Sequence, residues 1–261
     1  MKKVCVLVFA GLDPSGGAGI QADIQAISDA GAHPLPIITA LTVQDNQHVH
    51  AVHPVAAPIL IEQVNALIAH GTAIDAIKIG IVGSLANAQA IADAIVTLRK
   101  VHPTLPVVLD PVLASGHGDV LTKGDAVQAI APLRILATMI VPNLPEARAL
   151  CDGNDQLDLQ ANRLLQDSPH VMIKGGHGEG DEIINTWFHE DQQRQWQWPR
   201  LSGDYHGSGC TLASAIAARL AQGISMEAAL DAAQNYTQHS LDRAYAIAPG
   251  QQIPHRLKEM S

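Results

Sequence analysis

Cysteine is scarce in this sequence, which also lacks clusters of basic residues and long apolar runs. The three cysteines, Cys5, Cys151 and Cys210, lie far apart and form no C-x-x-C pair, so they indicate neither a disulfide framework nor a zinc knuckle. We therefore expect a protein of the reducing cytoplasm.

The apolar runs stay well short of the roughly 20 residues that span a bilayer, so we expect a soluble chain with no membrane partner. The opening MKKVCVLVFAG is apolar only over residues 4–10 and leads directly into glycines, which favours a first buried strand over a signal peptide. A net charge of −9 without any Lys/Arg run argues against a nucleic-acid partner. The expected ligand is a small molecule.

Short apolar runs alternate with helical patterns, which is typical of βαβ crossovers and of a sheet covered on both faces. Near EIINTWFHEDQQRQWQWPRL the alternation gives way to a hairpin pattern, so we expect a mostly parallel sheet with an antiparallel edge, in a single α/β domain over residues 1–261. The predicted strands are 4–10, 36–41, 76–79, 107–109, 139–141 and 171–173, the hairpin is 183–189 with 194–199, and the helices are 20–30, 58–70, 86–100, 123–131, 159–166, 211–222 and 226–242.

Ligands of such sheets bind beyond the carboxyl ends of the strands. The segments at these positions are rich in glycine, acidic and amide residues. In chain order they are GLDPSGGAG, TVQDN, DPVLASGHGD, PNLPE and KGGHGEG.

The first of these segments is open to several interpretations. Gly11 and Gly16 have Walker A spacing, but glycine and alanine stand where its lysine and Ser/Thr belong, so that interpretation fails. Residues 17–22 fit a dinucleotide fingerprint, although they begin well past the strand and lack the expected acid about 20 positions further on. A plain glycine-rich turn also remains open. In the last interpretation small residues admit a flat ligand, with Asp13 and Asp23 contacting its edge.

Asn143 and Glu146 stand three positions apart where a strand meets a helix. They could hold water bound to Mg²⁺, or they could simply cap the helix. Asp110, which ends VVLD, could contribute to such a site or start a turn. Lys174 follows an apolar strand and either contacts phosphate or reaches solvent.

Histidines recur in HVHAVH over residues 48–53. With no carboxylate or cysteine in that cluster, the pattern does not favour a metal site.

The segment HGSGCTLASAIAARLAQG places two glycines and a cysteine in front of a helical pattern. Gly207 and Gly209 permit a tight loop whose N–H groups converge at the helix amino terminus, a site suited to negative charge on a transferring phosphoryl group. The same field is expected to lower the pKa of the Cys210 thiol from about 8.5. Cys210 could act as a base, as a hydrogen-bond partner or as a small helix-start residue.

Taken together, these motifs resemble the ribokinase-like fold, and in particular the hydroxymethylpyrimidine and phosphomethylpyrimidine kinases of thiamin biosynthesis. The resemblance covers nearly the whole chain. The matching motifs, in the family's order, are AGLDPSGGAGIQADIQA, ITALTVQDN, KIGIVGS, VVLDPVL, VPNLPEA, MIKGGH and HGSGCTLASAIAA.

The resemblance implies a three-layer α/β/α sandwich that forms a homodimer and uses ATP and Mg²⁺. Its implied site residues fall into three groups. Gly11, Asp23 and Gln44 line the pyrimidine site; Lys174, Asn143, Gly207, Ser208, Gly209 and Cys210 handle the phosphates and the transfer; Asp110 and Glu146 hold the metal.

The implied activity is ATP-dependent phosphorylation of 4-amino-5-hydroxymethyl-2-methylpyrimidine and of its monophosphate. A pyridoxal or pyridoxine kinase on the same fold and a non-catalytic pyrimidine or nucleotide sensor are the alternatives, and an oxidoreductase is a weaker one. Two stretches depart from the family: ASGHGD replaces a Lys-Ser-Gly found in many relatives, and GDYHGSGC lacks a common threonine.

Overall fold

The computed structural model describes residues 3–115, 118–119, 121–122, 124–190 and 192–257. Across these residues strands and helices alternate as the sequence predicts. The strands are β1 (Cys5–Leu12), β2 (His33–Gln44), β3 (Val49–Pro54), β4 (Ala76–Ile79), β5 (Val107–Leu109), β6 (Met139–Ile140), β7 (His170–Ile173), β8 (Glu182–His189) and β9 (Gln192–Pro199). The helices are α1 (Gly19–Asp29), α2 (Ala57–Ala69), α3 (Leu85–Arg99), α4 (Ala126–Arg134), α5 (Leu144–Leu150), α6 (Leu157–Leu164), α7 (Ser208–Ala221) and α8 (Met226–Asp242).

Within the described ranges the strands form one sheet in the order β3-β2-β1-β4-β5-β6-β7-β8-β9. The strands from β2 to β7 in this order pair in parallel, and β8 and β9 form the predicted antiparallel hairpin. β3 pairs antiparallel with β2 and makes a second antiparallel edge, which the sequence pattern does not predict. Its sequence VHAVHP interrupts valine and alanine with histidines and is only half buried, so it gives no continuous apolar run.

Helices cover both faces of the sheet and confirm the three-layer architecture. Alternate residues of β1 point to opposite faces of the sheet. Leu7 and Phe9 pack towards α2 to α6. Val6, Val8 and Ala10 pack towards α1, α7 and α8. A strand buried on both faces gives the continuous apolar run by which it is recognised in the sequence.

The predicted helix starts lie within two residues of the observed ones, except those of α4 and α7, which differ by three. The helix expected after Asn143 is α5, to which the sequence gives no bounds because its two turns are too short for a periodic pattern. The predicted start of α4 at Lys123 lies outside the described residues, and the observed helix begins after Asp125, whose carboxylate accepts the N–H groups of Val127 and Gln128. α7 begins at Ser208 rather than at Thr211, so the SGC of the glycine loop forms its first turn.

No helix in the described part of the chain is both long and apolar enough to cross a membrane.

Candidate active site

A cavity of about 890 Å³ opens at the carboxyl ends of the parallel strands. Its walls come from the segments that follow β1, β2, β5, β6 and β7 and from the start of α7. The sequence-predicted residues that line it are Gly11, Gln44, Asp110, Asn143, Glu146, Lys174, Gly207, Ser208, Gly209 and Cys210.

Gly207 is the N-cap of α7 and has a left-handed φ of 81°. A Cβ at this position would collide with the carbonyl oxygen of Gly17, so the close approach of the two glycine loops requires glycine. Thr211 N donates the first helical bond to the Gly207 carbonyl. The N–H groups of residues 208–210 therefore have no partner within the helix and, with the helix dipole, favour an anion in the cavity.

Lys174 pairs with Asp110 beside this loop. Its Nζ donates to Asp110 Oδ1 at 2.8 Å, and its side chain is only 12% exposed, so it does not reach freely into solvent. Although burial opposes its charge, Asp110 and Glu146 raise the pKa of Lys174. A Cβ at Gly209 would lie 3.0 Å from Nζ, so the glycine lets the lysine approach the start of α7.

Asn143 and Glu146 form the capping box of α5. Asn143 Oδ1 accepts the Glu146 N–H at 2.8 Å, and Glu146 Oε2 accepts the Asn143 N–H at 2.7 Å. Both residues also line the cavity, so the cap and a place in the site are compatible. Burial, reinforced by Asp110 and opposed by Lys174, raises the pKa of Glu146 to about 7.

The acids fit a hydrated Mg²⁺ better than a cation held wholly by protein. Asp110 and Glu146 face one cavity, and a cation bound between them would lower the pKa of Glu146, which burial and, to a lesser extent, Asp110 raise. Among the described residues no group of three or more His, Cys, Asp or Glu side chains could hold a metal. Mg²⁺ commonly binds one or two carboxylates and takes its other ligands from water and phosphate.

The expected lowering of the Cys210 pKa is wrong. Loss of hydration in the cavity raises the pKa of the thiol to about 11, and Asp110 and Asp23 add to this effect while Lys78 opposes it. The field of the helix start is therefore too weak to offset burial beside two carboxylates. Cys210 is a neutral thiol at physiological pH.

Asp23 does not line the cavity, because it is fully buried beneath it. Its carboxylate accepts Lys78 Nζ at 2.8 and 2.9 Å and the Ser214 hydroxyl at 2.7 Å, which ties together α1, β4 and α7. Although burial opposes its charge, Asp23 holds the pKa of Lys78 above its usual value. The sequence reasoning assigns no role to Lys78, although a lysine inside the apolar strand AIKI signals a need for a buried partner.

Asp13 is likewise turned away from the cavity and organises the first glycine loop. Its Oδ1 accepts the Ser15 N–H at 2.8 Å, and its Oδ2 accepts the Ala18 N–H at 2.7 Å and lies 2.8 Å from His206 Nε2. Although burial opposes ionisation, the hydrogen bond with His206 holds the pKa of Asp13 below its usual value.

Gln44 lies near Gly11, at the end of the cavity opposite to β7 and Lys174. Its Nε2 donates to Thr42 Oγ1 at 2.6 Å, and the Thr42 hydroxyl donates to the Leu12 carbonyl at 2.7 Å, so the amide has a fixed orientation. A Cβ at Gly11 would lie in ordinary van der Waals contact with Ile81 Cδ1, at 3.5 Å, so the backbone of Gly11 packs closely against Ile81.

Arg200, at the end of β9, holds the glycine loop that follows β7. Its guanidinium donates to the carbonyls of Gly180, Gly176 and Gly178 at 2.7, 2.9 and 2.8 Å. Sequence reasoning missed this residue, since its partners lie about 20 positions away and leave no local pattern.

Comparison with known proteins agrees with this geometry. A family model described as phosphomethylpyrimidine kinase matches residues 13–255. The hydroxymethylpyrimidine/phosphomethylpyrimidine kinase of Rhizobium meliloti (strain 1021) is 36% identical over 253 residues, which cover 94% of this chain and 93% of the relative. The thiamine biosynthesis multifunctional protein ThiED of Corynebacterium efficiens is also 36% identical over 253 residues, but the chain spans only 34% of its length.

Two solved structures are similar over most of the chain. Phosphomethylpyrimidine kinase (thiD) from Clostridium difficile 630 has a TM-score of 0.77 and 31% identity, covering 92% of this chain and 100% of that one. Pyridoxal kinase from Staphylococcus aureus in complex with AMP-PCP and pyridoxal has a TM-score of 0.85 and 25% identity, covering 98% of this chain and 94% of that one.

The sheet order, the two helical layers and the cavity at the strand ends define a ribokinase-like kinase of small molecules. Within that class, the extent of the family match is decisive. The chain belongs to the phosphomethylpyrimidine kinase family.

Proposed function

We propose that this protein transfers the γ-phosphoryl group of ATP to 4-amino-5-hydroxymethyl-2-methylpyrimidine and then to the resulting monophosphate. The observation that carries this proposal is that Gly11 and Gln44 line the same cavity as Lys174 and the start of α7. We assign the pyrimidine to the end at Gly11 and Gln44, the ring end, and the phosphates to the end at Lys174 and the start of α7, the phosphate end. Membership of the phosphomethylpyrimidine kinase family supports the choice of substrate.

The ring end recognises the aminopyrimidine edge. The Gln44 amide offers both a donor and an acceptor, which matches a ring nitrogen beside an exocyclic amine. Thr42 fixes the amide in place, so little ordering is needed when the ring binds.

The phosphate end stabilises transferred charge. The free N–H groups of Ser208, Gly209 and Cys210 and the ammonium of Lys174 face the same space, where they bind and orient the phosphates. Asp110 and Glu146 would hold Mg²⁺, which supplies charge neutralisation to the phosphates when bound.

Cys210 contacts the hydroxymethyl oxygen as a neutral hydrogen-bond partner in this proposal. With a pKa of about 11, its thiolate is rare at physiological pH, so positioning and charge stabilisation carry the reaction rather than a preformed base.

A pyridoxal kinase is the second candidate. The Staphylococcus aureus pyridoxal kinase has a TM-score of 0.85 against 0.77 for the Clostridium difficile enzyme, so the backbone fits either substrate class. Gln44 favours the aminopyrimidine, because the matching edge of a B6 ring lacks the exocyclic amine.

The test is a product assay on the purified chain with ATP and Mg²⁺. Hydroxymethylpyrimidine, its monophosphate, pyridoxal, pyridoxine and pyridoxamine are incubated separately, and products are followed by mass. The proposal expects phosphorylation of both pyrimidines, with a higher kcat/KM for them than for any B6 vitamer. A preference for pyridoxal selects the second candidate, and binding without any product selects a non-catalytic sensor.

We also propose that residues 1–261 act as one kinase domain, as a cytoplasmic homodimer. Light scattering on the eluting chain tests the oligomeric state, and a monomer mass contradicts it.

A further inference from the structure

Arg256 is a buried guanidinium near the end of the described chain, with 2% of its surface exposed. Its Nε donates to Thr211 Oγ1 at 2.8 Å and its Nη1 to Gln25 Oε1 at 3.3 Å. Its Nη2 donates to the carbonyls of Gly17 and His206, the latter at 3.3 Å. One side chain thus joins the first glycine loop to the loop that precedes α7.

The charge of Arg256 has no direct counter-ion within the described residues. All its partners are carbonyl, hydroxyl or amide oxygens, and no described carboxylate pairs with it. A Cβ placed on Gly207 would lie 2.8 Å from Nη2, so the positive charge sits directly behind the first residue of the α7 loop. A buried cation without an ionic partner is costly and exerts a strong local field.

We propose that Arg256 is a positioning residue of the phosphate site: it locks the two glycine loops together, and its unpaired charge adds to the attraction of the α7 start for phosphate. This inference rests on the proposed function only in taking a phosphorylated ligand at that loop. It assigns to the carboxyl-terminal segment a role in anion binding that none of the motifs indicates.

Substitutions separate the charge of Arg256 from its hydrogen bonds. Arg256→Lys keeps the charge but cannot reach all four oxygens, whereas Arg256→Gln keeps an amide donor and removes the charge. Arg256→Met removes both. Arg163→Met is the matched control, because Arg163 lies on α6 in a partly exposed ion pair with Asp167 and does not line the cavity.

The experiment measures binding of inorganic pyrophosphate to the full chain by calorimetry at low and high salt, with a thermal unfolding curve for each variant. We expect pyrophosphate to bind at least about tenfold more weakly to Arg256→Gln, within about threefold of wild type to Arg256→Lys, and equally to Arg163→Met. Wild type should also show a steeper loss of affinity with salt than Arg256→Gln.

Wild-type affinity in Arg256→Gln, or equal weakening in the Lys and Gln variants, overturns the proposed role of the charge. If Arg256→Met does not fold, the comparison of Lys with Gln still decides. Because pyrophosphate binding needs no pyrimidine, a chain that binds pyrophosphate through Arg256 and yet phosphorylates no pyrimidine refutes the proposed function alone. A wild type that does not bind pyrophosphate refutes this inference.

Discussion

Replacing Lys78 with methionine tests the charge pair beneath the cavity. Both side chains of the Lys78–Asp23 pair are fully buried, and the lysine donates to both carboxylate oxygens at 2.8 and 2.9 Å. Methionine has a similar length, so the variant removes the charge while nearly preserving the packed volume. The Asp23 carboxylate then keeps the Ser214 hydroxyl as its side-chain donor. Removing one partner of a buried pair costs about 3 to 5 kcal/mol in unfolding free energy.

Urea denaturation followed by tryptophan fluorescence measures this loss, and thermal unfolding should show a midpoint about 6 to 20 °C lower. The double variant Lys78→Met with Asp23→Leu should recover most of the stability, because replacing a whole buried pair by apolar groups is often close to neutral. A loss below about 1 kcal/mol, or additive effects of the two substitutions, refutes the reasoning.

The pH dependence gives an independent check. Burial already raises the pKa of Asp23 in the wild type although the Lys78 ammonium opposes this, and the loss of the ammonium in Lys78→Met raises the folded-state pKa further above the unfolded value of about 3.9. The folded variant then binds this proton more tightly than the unfolded chain, so its stability falls as pH rises. The stability gap from wild type should therefore widen as pH rises above the unfolded value of about 3.9, and a constant gap contradicts an unpaired carboxylate.

Three further predictions concern the cavity itself. Burial raises the pKa of Glu146 to about 7, so the contribution of its protonated carboxyl to folding stability is present at low pH and is lost as pH rises through that value. Glu146→Gln should therefore flatten the plot of unfolding free energy against pH between about pH 5 and about pH 8. An unchanged slope contradicts this prediction. Alkylation of Cys210 by iodoacetamide, followed by mass, should be slow at neutral pH and accelerate towards its pKa of about 11, whereas rapid labelling at neutral pH indicates a lowered pKa. Gln44→Met should lower kcat/KM for hydroxymethylpyrimidine, relative to pyridoxal, by a factor worth about 1 to 3 kcal/mol, and an unmoved ratio removes Gln44 from substrate choice.

The sequence predicts those parts of the fold that local patterns determine. The bounds of β4, β5 and α8 match the structure, because continuous apolar runs and 3.6-residue periodicity reflect burial directly. The strand-end motifs also meet as expected, since parallel strands bring their carboxyl ends to one edge. β3 escapes prediction because an edge strand needs no apolar run.

What the sequence does not reveal depends on contacts between distant residues. The sequence predicts that Asp23 contacts the ligand, whereas its partner in the structure is Lys78, 55 positions away. The pKa of Cys210 depends on how far burial in the cavity excludes water from the thiol. No local sequence motif shows this degree of burial. Arg256 acts on Gly17 across 239 positions, so its role appears only in three dimensions.

The hydrogen bonds from Arg200 to the loop after β7 affect which positions of that loop tolerate substitution. Arg200 holds backbone carbonyls, which every amino acid carries, so its hold does not depend on side chains in the loop. Gly176 has open space where a side chain would go, whereas a Cβ at Gly175 would strike the Ile184 carbonyl and Gly180 has a left-handed φ of 92°. Variation among descendants of this chain, or in a library built from it, can therefore accumulate at position 176 and remodel the rim of the cavity while the path of the loop is preserved.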